Sequence, residues 1–479
     1  MESFVQILTK VNNSLNDFVW GPVMLAGFLA VGSMFTVRTG VFQISHLKLW
    51  LDVTFLQLFK DRNVVKTNDK HAISQFQSSC TALAATLGTG SIAGVATAIT
   101  AGGPGAVFWM WISAFLGMMT SYAENTLGIK YRYKNEKGDW IGGAMVYIER
   151  GLHCKWLAII FSVFCALASF GIGNMTQANS IASGLKESFG LDPRVTGIAL
   201  MTLAAMVILG GIKRVASVTE KVVPFMAAFY IAGGFIVIFA NAARIPSTFA
   251  SIFTEAFHFR AAGGGVLGYG ISLAMRKGIS RGVFSNEAGL GSSVMVHSAS
   301  DVKEPVVQGM WGIFEVFTDT LVVCTITALT ILTSGVYNMK QYLINMNENI
   351  EVISGTALTS QAFSSVIPFG GEFVAIGIVL FAFSTLLGWS YYGERAVEYL
   401  FGLKAVHAYK IIFICVIYLG CVASLNLVWD IADTLNGFMA VPNLIAITLL
   451  SGEVITMTKE YIAKVKAGKE SINGDNFAR

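Results

Sequence analysis

The sequence predicts an all-α polytopic membrane protein with eleven transmembrane helices, arranged as a five-plus-five inverted repeat that follows one extra N-terminal helix. Three observations support this class: the composition, a series of long apolar segments, and two glycine clusters at equivalent places in that series. Of the 479 residues, 54% are hydrophobic and 13% are charged, whereas about 25% of a soluble domain is charged. The same composition excludes disorder, collagen and coiled coils.

Eleven apolar segments are long enough to cross a bilayer, which takes about 20 residues of helix. Each is predicted to be helical because backbone that faces lipid must satisfy its own N–H and C=O groups. A β-barrel is not expected because runs such as 198–209 and 374–383 do not alternate between polar and apolar residues. The segments span roughly residues 17–38, 73–102, 104–129, 156–185, 195–212, 216–241, 264–300, 306–336, 370–400, 406–426 and 430–456.

The basic residues predict the orientation of these segments. If the N-terminus lies outside, 24 of the 33 Lys and Arg residues fall on the inner side and 6 on the outer side. Because cytoplasmic loops carry an excess of Lys and Arg, this arrangement is predicted, with the C-terminus in the cytoplasm. Residues 1–20 are predicted to form a short amphipathic helix rather than a cleaved signal peptide, because no basic stretch precedes an apolar one.

Segments two and seven contain glycine clusters that predict interrupted helices. Residues 88–91 read Gly-Thr-Gly-Ser, and residues 289–292, five segments and 201 residues later, read Gly-Leu-Gly-Ser. A repeat of five segments reverses its orientation between copies, which is typical of an inverted repeat with a discontinuous helix at the start of each half. The predicted regions are an N-terminal part with the first helix and a basic cytoplasmic loop (1–72), a first repeat (73–241), an extracellular connection (242–263), a second repeat (264–456) and a cytoplasmic tail (457–479).

The predicted break at 88–91 can bind both an anion and a cation. The helix half that begins near Ser91 directs its N-terminal N–H groups to the break, where they attract a carboxylate. The carbonyls that end the preceding half, among them those of Ala84 and Leu87, suit a hard cation such as Na⁺. The alternative is close helix packing, because Gly90 and Gly94 also form a GxxxG pair.

Polar side chains near the second glycine cluster are further candidates. Glu287 is an ionisable residue at membrane depth, where it can bind an ammonium group or a cation, or can form a structural ion pair with Arg281 or Arg276. Asn286 beside it offers both a donor and an acceptor. Packing networks are the role assigned to three other intramembrane acids, Glu124, Glu315 and Asp319.

Segments four and nine contribute an amide, two adjacent hydroxyls and an indole. Gln177 can reach a polar ligand at the centre of the bundle, although intramembrane amides also bridge helices. Ser384 and Thr385 can complete an oxygen cage for Na⁺, or can return their hydroxyls to the carbonyl four residues earlier. Trp389 lies one turn after Thr385 and can wall a small pocket or simply pack.

Enzymatic, ATP-driven and nucleic-acid functions are not predicted. The six histidines lack metal-ligand spacing, and the sequence contains neither a nucleophile elbow nor a Walker loop. The net charge of +4 comes without a clustered basic face. The six cysteines lack CxxC spacing and are predicted to be buried free thiols. No organic cofactor is expected.

Residues 102–111, Gly-Gly-Pro-Gly-Ala-Val-Phe-Trp-Met-Trp, resemble the signature of the alanine/glycine:cation symporter family, also called the sodium:alanine symporter family. Five other blocks resemble that family in the same order: TALAATLGTGSIAG (81–94), GGAMVYIERGL (142–152), GNMTQANS (173–180), RGVFSNEAGLGS (281–292) and FAFSTLLGWSYYGE (381–394). The resemblance runs from about residue 17 to 456. It implies a LeuT-type fold with an added first helix, and Na⁺-coupled, sometimes H⁺-coupled, uptake of alanine or glycine.

The resemblance also implies a substrate site and a sodium site. The substrate site is expected to comprise the two helix breaks and Gln177: Thr86, Gly88, Thr89, Gly90, Ser91, Gln177, Asn286, Glu287, Ala288 and Gly289. Trp389 is added to this site as a wall because of its position one turn after Thr385. The Na⁺ site is expected to comprise two carbonyls and two hydroxyls: Ala84, Leu87, Ser384 and Thr385. Ser91 departs from the Asn that the family usually has, and its shorter side chain, which lacks an amide, bears on substrate preference and on any cation beside the substrate.

The predicted function is secondary active import of a small neutral amino acid, alanine or glycine, across the cell membrane by Na⁺-coupled alternating access. The expected partners are the amino acid, the coupling ion and the lipid bilayer, without nucleic acid. The alternatives are an H⁺-coupled carrier, a carrier of a larger amino acid such as glutamine, and a transporter-like sensor or channel. A channel needs a continuous polar stripe and a sensor a large cytoplasmic domain, and the sequence predicts neither.

Overall fold

The computed structural model describes residues 2–257, 269–338, 342, 353–423 and 426–468, which are predominantly helical. Parts of the predicted 242–263 connection, of segments 264–300 and 406–426, and of the 457–479 tail lie outside the described residues. Every helix bound below refers to the described part of the chain.

The helices up to residue 240 coincide in position with the first six predicted segments, and short helices lie between some of them. They are α1 (Glu2–Val19), α2 (Pro22–Arg38), α3 (Phe42–Ser45), α4 (Leu47–Leu51), α5 (Gln57–Lys60), α6 (Arg62–Val65), α7 (Gln75–Thr86), α8 (Val95–Gly102), α9 (Gly105–Tyr131), α10 (Ala144–Leu152), α11 (Lys155–Phe170), α12 (Thr176–Phe189), α13 (Pro193–Ile208) and α14 (Gly211–Ala240). π-helical turns lie at Asp52–Leu56, Gly90–Gly94 and Gly171–Met175. An antiparallel hairpin of β1 (Tyr133–Lys134) and β2 (Trp140–Ile141) follows α9.

The second half begins with a 3₁₀ turn at Ala242–Arg244. Its helices are α15 (Ile245–Phe257), α16 (Tyr269–Asn286), α17 (Val294–His297), α18 (Pro305–Val316), α19 (Thr325–Ser334), α20 (Gly355–Ser364), α21 (Gly370–Phe401), α22 (Leu403–Val422), α23 (Asn426–Leu449) and α24 (Ser451–Lys466). A π-helical turn at Phe317–Cys324 joins α18 to α19.

Seven spans of the described chain are long and apolar enough to cross a membrane, or up to nine if each of two bent pairs counts as one span. The bent pairs are Gln75–Thr86 with Gly90–Gly102, at 51°, and Trp429–Leu449 with Ser451–Lys466, at 57°. α13 is shorter, with 16 residues. The predicted all-helical membrane class is confirmed, whereas the count of eleven spans and the inverted repeat stay predictions.

The first glycine cluster interrupts its helix at Leu87 and Gly88. α7 ends at Thr86, and helical hydrogen bonding resumes in the π-helical turn that begins at Gly90. A Cβ at position 88 would lie 2.6 Å from Thr385 Oγ1, so glycine permits a close approach to α21 at this point. The break therefore lies where the sequence predicts it.

The second glycine cluster follows the end of α16 at Asn286. Glu287, Gly289 and Gly291 have φ values of 57°, 93° and 72°, which are incompatible with a continuing right-handed helix. Only one turn of helix, α17, forms before α18 begins at Pro305. The helix thus stops at the predicted break, but the part of segment 264–300 beyond it is mostly turns rather than a half-helix.

The chain before α7 and the chain after α17 are paired through their backbones. Ile73 N donates to Ala299 O over 3.0 Å, and Asp301 N donates to Ile73 O over 2.7 Å. These bonds make a parallel bridge between Ile73 and Ser300. The two interrupted segments are therefore tied together at one end.

Arg132, which directly follows α9, fixes the chain after α17. Its guanidinium donates to the carbonyls of Ser298 over 3.0 Å, Ser300 over 2.5 Å, and Val302. Burial lowers the pKa of Arg132 to about 10, so the side chain remains protonated at neutral pH. A single guanidinium thus donates hydrogen bonds to three backbone carbonyls of the irregular stretch between α17 and α18.

The first interrupted segment passes between two groups of packed helices. α7 packs mainly against α14 and α21, whereas α8 packs mainly against α9 and α16. α9 is also in contact with α2 and α18, and α21 is in contact with α11 and α12. The break is therefore the point at which the segment leaves one group of helices and joins the other.

We expect Gly32→Ala to lower the unfolding temperature. Across the contact of α2 with α9, a Cβ at position 32 would lie 2.7 Å from Leu116 O and 2.8 Å from Leu116 Cβ. Overpacking of this kind costs about 1–3 kcal/mol. Gly27→Ala on the same helix is the matched control, since nothing lies within 4 Å of its Cβ position. Equal unfolding temperatures of the two variants in detergent, measured by scanning fluorimetry, would contradict this packing.

Candidate functional site

The carbonyl oxygen of Ala84, in the last turn of α7, faces two adjacent hydroxyls of α21. Ser384 Oγ donates to Ala84 O over 3.3 Å, and Thr385 Oγ1 does so over 3.0 Å. Both hydroxyls also reach Phe381 O of their own helix, at 2.8 and 3.0 Å. The sequence left two hydrogen-bond partners open for these hydroxyls, a carbonyl of a facing helix and a carbonyl of their own helix. In the structure both hydroxyls lie within hydrogen-bond distance of both kinds of carbonyl.

Leu87 and Gly88 complete this corner of the site. Leu87 is fully buried at the end of α7, and neither Ser384 nor Thr385 donates to its carbonyl in the described chain. The Thr385 hydroxyl also lies against Gly88 at the break. The structure thus brings three of the four predicted sodium ligands into contact, together with the backbone of the break.

Threonines from other helices satisfy the carbonyls just beyond the break. Thr327 Oγ1 of α19 donates to Ser91 O over 2.8 Å, and Thr359 Oγ1 of α20 donates to Ile92 O over 3.3 Å. The π-helical turn at Gly90–Gly94 alters the regular hydrogen bonding of the helix. In an apolar bundle, carbonyls released in this way need protein partners.

A cavity of about 320 Å³ reaches the first break. This volume is at the lower end of the range of about 300–1,000 Å³ that is usual for small-molecule sites. Backbone N–H groups in the first turn after a helix break lack helical acceptors, so Thr89 and Gly90 can present donors to the cavity. Its lining comes from the interrupted segment and from α12, α16, α20 and α23: Thr89, Gly90, Ala93, Gly94, Thr97, Ser180, Arg281, Phe284, Gly355, Thr356 and Trp429.

Two buried acceptor atoms at or near this cavity have no hydrogen-bond partner within the described chain, Thr89 Oγ1 and Gln177 Oε1. Gln177 lies one turn before Ser180, which lines the cavity, and its Nε2 donates to Ile172 O over 3.0 Å. A buried polar atom without a partner is costly. Both atoms are therefore candidates for contact with a polar ligand.

Glu287 joins the second break to α21. Its Oε2 accepts from Ser292 Oγ over 2.5 Å, and its Oε1 accepts from Trp389 Nε1 over 2.9 Å. Trp389 packs closely on the π-helical turn between α11 and α12, where Gly173 has no side chain. A Cβ at position 173 would lie only 2.3 Å from Trp389 Cβ. Trp389 thus connects Glu287 to the helix that carries Gln177.

The predicted alternative partners of Glu287 lie elsewhere. Arg276 Nη2 is 2.6 Å from Asp17 Oδ1 of α1, and Arg281 lines the cavity. Neither arginine forms the proposed ion pair with Glu287 in the described chain. The polar partners of this carboxylate are a hydroxyl and an indole, which are neutral donors.

Asp319, in the π-helical turn between α18 and α19, touches both interrupted segments. Its Oδ1 accepts from Ser91 Oγ over 2.7 Å and from Ser285 Oγ over 2.9 Å, and its Oδ2 accepts from Thr320 Oγ1 over 2.7 Å. The residue is fully buried. The sequence interpretation gave this acid only a packing role; its position at membrane depth was a usable signal, but its partners 228 and 34 residues away carry no local pattern.

Asn286 and Ala288 stabilise the turn of the second break. Asn286 Oδ1 accepts from Ala288 N over 3.0 Å, and Asn286 Nδ2 donates to Thr320 Oγ1 over 3.0 Å. The amide therefore holds the end of α16 to the helix that contains Asp319. Both of its polar atoms have protein partners.

Glu124 of α9 and Asn443 of α23 hold the backbone of the second break. Glu124 Oε1 accepts from Gly291 N over 3.1 Å and also from Asn443 Nδ2. Asn443 Nδ2 donates to Gly289 O over 2.9 Å, and its Oδ1 accepts from Tyr147 OH. Glu124 is thus part of a polar network, as predicted, while Asn443 was not identified from the sequence.

A second buried network lies between α7, α17 and α18. His297 Nε2 is 3.0 Å from Glu315 Oε2, and His297 Nδ1 is 2.5 Å from Gln308 Nε2 and 3.3 Å from Ser78 Oγ. Glu315 thus belongs to a network with a histidine that sequence spacing did not single out. No group of three or more His, Cys, Asp or Glu residues in the described chain could hold a metal ion.

The six thiols are free, but they are not all buried. Cys415 on α22 is exposed and Cys154 is half-buried, so the prediction of burial is wrong for these two. Cys415 lies in an apolar run, and the outer face of a membrane helix is apolar although it is not covered by protein. An apolar run alone therefore does not distinguish a protein-facing position from a lipid-facing one.

Comparison with known proteins gives a family match over nearly the whole chain. The model of the sodium:alanine symporter family matches residues 5–474. The sodium/alanine symporter AgcS of Methanococcus maripaludis is 46% identical over 453 residues, which cover 94% of this chain and 96% of AgcS. The probable sodium/glutamine symporter GlnT of Bacillus subtilis is 39% identical, with 98% of this chain and 93% of GlnT covered.

The chain is also similar to a third carrier in sequence and to a metal-ion transporter in fold. The putative sodium/proton-dependent alanine carrier protein YrbD of Bacillus subtilis is 37% identical, with 96% of this chain and 93% of YrbD covered. A manganese transporter of Eremococcus coleocola has a crystal structure that superposes with a TM-score of 0.51 at 14% identity, covering 83% of this chain and 81% of that one. The structural likeness concerns the fold alone.

We expect Asn443→Ala to destabilise the protein. The change removes the donor to Gly289 O and leaves the Glu124 and Tyr147 side chains without this buried partner. Each buried polar group left unsatisfied costs about 1–3 kcal/mol. The measurement is thermal unfolding followed by circular dichroism in detergent.

Asn436→Ala is the matched control for this prediction. Asn436 lies two turns earlier on α23, is fully buried, and has no hydrogen-bond partner for either amide atom within the described chain. Asn436→Ala breaks no hydrogen bond of the described chain, so it should lower the unfolding temperature less than Asn443→Ala does. If the two variants lose the same stability, Asn443 does not act through the second break.

Proposed function

The chain belongs to the sodium:alanine symporter family, and on that basis we propose that it imports alanine or glycine together with Na⁺. The family consists of symporters rather than enzymes, and the chain is a multi-pass membrane protein. The excess of Lys and Arg on one side favours a cell-membrane orientation with the N-terminus outside and the C-terminus in the cytoplasm.

The observation that carries the proposal is the cavity that reaches an interrupted helix. An amino-acid zwitterion cannot be buried in hydrocarbon at acceptable cost unless each charge meets a partner. We assign the substrate carboxylate to the N–H groups that follow the break at Thr89 and Gly90, which line the cavity, because a helix N-terminus favours an anion. Ser91 N, the next donor, is bonded to Gly88 O over 3.3 Å. Thr86 and Gly88 form the other edge of this subsite.

The ammonium group needs acceptors on the opposite side of the cavity. Gln177 Oε1 is a buried acceptor without a protein partner in the described chain, and it lies one turn before Ser180 of the cavity lining. The second break, from Asn286 to Gly289, contributes carbonyls close to the first break, since Ser285 Oγ lies 3.1 Å from Ser91 Oγ. Glu287 takes part by holding Trp389 as a wall of the pocket.

Na⁺ is assigned to the corner formed by Ala84, Leu87, Ser384 and Thr385. These residues offer carbonyl and hydroxyl oxygens, which are the donors that hard cations prefer. Thr385 also lies against Gly88, so an ion held there contacts the same break that binds the substrate. Na⁺ can thereby stabilise the substrate-binding arrangement of α7 against α21.

Coupling then follows from thermodynamic linkage. If Na⁺ and the amino acid both favour the same arrangement of α7 and α21, each raises the affinity for the other. Alternating access moves one packed group of helices against the other around this site. The interrupted segment belongs to both groups, since α7 packs against α21 and α8 against α9.

Proton coupling and a larger substrate are the second candidates. The buried carboxylates of Glu287, Glu124 and Asp319 accept hydrogen bonds from neutral donors, so a proton could replace a metal cation at membrane depth. One relative is named as sodium/proton-dependent and another as a glutamine symporter. A channel or sensor is not favoured by a site that lies at helix breaks.

We expect purified protein in proteoliposomes to accumulate labelled alanine against its gradient when Na⁺ is higher outside. Removing the Na⁺ gradient should abolish accumulation, because the inward movement of Na⁺ supplies the free energy for uphill uptake of alanine. Accumulation that responds to neither a Na⁺ nor an H⁺ gradient would contradict symport, and a response to H⁺ alone would favour the second candidate. Unlabelled glycine and glutamine as competitors distinguish the substrate classes.

We expect Thr385→Ala to raise the Na⁺ concentration for half-maximal uptake by about tenfold or more, because it removes one oxygen ligand. Ser390→Ala on the same helix is the matched control, since this buried hydroxyl donates to Leu387 O of its own helix. The measurement is alanine uptake as a function of Na⁺ concentration. An unchanged Na⁺ dependence in Thr385→Ala would remove this residue from the cation site.

A further inference from the structure

A second cavity, of about 300 Å³, lies at the end of the bundle where α7 begins. Its walls come mostly from the chain before α7, the β1–β2 hairpin, the start of α14, the last part of α21 and the start of α22. Within the described chain, no residue lines both this cavity and the one at the first break. The distribution of Lys and Arg predicts that these walls face the cytoplasm, so the cavity is separate from the proposed substrate site.

Two long helices begin at this cavity without a side-chain cap. The first residues of α14 and α22, Gly211 and Leu403, both line it. The residues before them, Gly210 and Gly402, have no side chain that could accept from the first turn, and neither first turn contains an acid. By contrast, α7 begins with a capping box at Ser74. The free N–H groups and the positive ends of two helix dipoles therefore favour an anion in this cavity.

Two cations of the cavity wall, Arg395 and Lys410, are largely buried, with side chains that are 8% and 12% exposed. Glu394 lies 2.5 Å from Arg395 Nη2 and 2.9 Å from Lys410 Nζ. Arg395 Nη1 lies 2.6 Å from Glu398 Oε2, so two carboxylates balance the two cations. Arg395 Nε nevertheless has no hydrogen-bond partner within the described chain. A buried donor of this kind is costly, and an acceptor on a ligand removes the cost.

The other ionisable groups of the cavity leave an excess of positive charge. Lys70, Lys137 and Lys213 line it, are exposed, and form no ion pair within the described chain. Against them stands Asp139, whose Oδ1 lies 3.0 Å from His71 Nδ1. With a neutral histidine, three lysines and one carboxylate leave two positive charges unbalanced.

This charge and these donors select a phosphate monoester or inorganic phosphate as the ligand. A phosphoryl group of this kind carries a charge of about −1.5 to −2 at pH 7 and has three strong acceptor oxygens. Helix N-termini, lysine ammonium groups and arginine are the donors that bind phosphate in proteins. A chloride ion or a single carboxylate balances only one of the two charges.

We infer that this cavity binds a phosphoryl group on the cytoplasmic side, supplied either by a lipid with a monoester headgroup or by a soluble phosphate compound. The exposed lysines Lys70 and Lys213 and the N-termini of α14 and α22 hold the anion, and Arg395 Nε is the buried donor. The inference goes beyond the proposed function, because this ligand is bound rather than transported.

The position of the cavity gives the ligand an effect on the first interrupted segment. Lys70 precedes α7, Lys213 lies in the first turn of α14, and Lys410 lies on α22. Because α7 packs against α14 and α21, an anion shared by these lysines opposes displacement of α7. Bound phosphate should therefore slow alternating access. This consequence, unlike binding itself, rests on the proposed transport function.

The first experiment measures binding without transport. The full chain in detergent is heated in increasing potassium phosphate, or in potassium chloride of equal ionic strength, because a ligand that binds the folded state raises its unfolding temperature. The rise should saturate, and the dissociation constant of phosphate should increase about fivefold in Lys70→Gln and again in the double variant with Lys213→Gln, since each basic residue contributes about this factor to the attraction of an anionic surface. Lys404→Gln is the matched control, because Lys404 is exposed in the first turn of α22 but does not line the cavity.

The second experiment distinguishes the two sources of the phosphoryl group. Wild-type protein and the double variant are heated in nanodiscs of phosphatidylcholine that contain phosphatidic acid, a monoester, or phosphatidylglycerol, a diester, at the same molar fraction. If the ligand is a lipid, phosphatidic acid should raise the unfolding temperature more than phosphatidylglycerol in the wild type but not in the double variant. If the ligand is soluble, only inorganic phosphate should produce this difference between the two proteins.

The outcomes separate the site from a general effect of phosphate and from the proposed function. An equal rise in the wild type, the lysine variants and Lys404→Gln would reflect the action of phosphate on the solvent and would overturn the site, as would no rise with either probe. Phosphate inside proteoliposomes should lower the initial rate of Na⁺-driven alanine uptake in the wild type and not in the double variant, and equal rates would refute the effect on α7. Wild-type protein without any Na⁺-driven uptake would refute the proposed function and leave the binding result intact.

Discussion

The need to satisfy backbone groups inside an apolar bundle is the constraint on which this structure depends. Two segments give up helical hydrogen bonding at membrane depth, and lipid offers no replacement. Side chains from distant helices supply it: Thr327 for Ser91 O, Asn443 for Gly289 O and Glu124 for Gly291 N. The polar residues that make a binding site possible are thus the same kind of residues that keep the interrupted segments folded.

Local sequence predicted the positions of the breaks, because glycines act through their own backbone. The first glycine of each pair, Gly88 or Gly289, lies two or three residues after the last residue of α7 or α16. The positions of the breaks thus follow from chemistry that a short window of sequence contains. The contact of Ser384 and Thr385 with Ala84 was expected only from the resemblance to the family, because the hydroxyls themselves do not indicate which helix they face.

The polar partners of the breaks could not be predicted in this way. Asn443 lies 154 residues from Gly289, and Asp319 lies 228 residues from Ser91, so only the packing of the helices brings them together. The sequence marked Glu287 as a potential ion-pair partner, but its carboxylate binds an indole and a hydroxyl instead. The one-turn helix α17 was also unforeseen, because left-handed backbone at Gly289 and Gly291 delays the return to helix.

The parallel bridge between Ile73 and Ser300 has a mechanical consequence. Two backbone hydrogen bonds join the chain before α7 to the chain after α17, and Arg132 fixes the latter to the end of α9. The two interrupted segments are therefore constrained to move together at this end. The link is made by backbone atoms, so it tolerates any side chain at positions 73 and 301 except that of proline, which would remove the N–H donor.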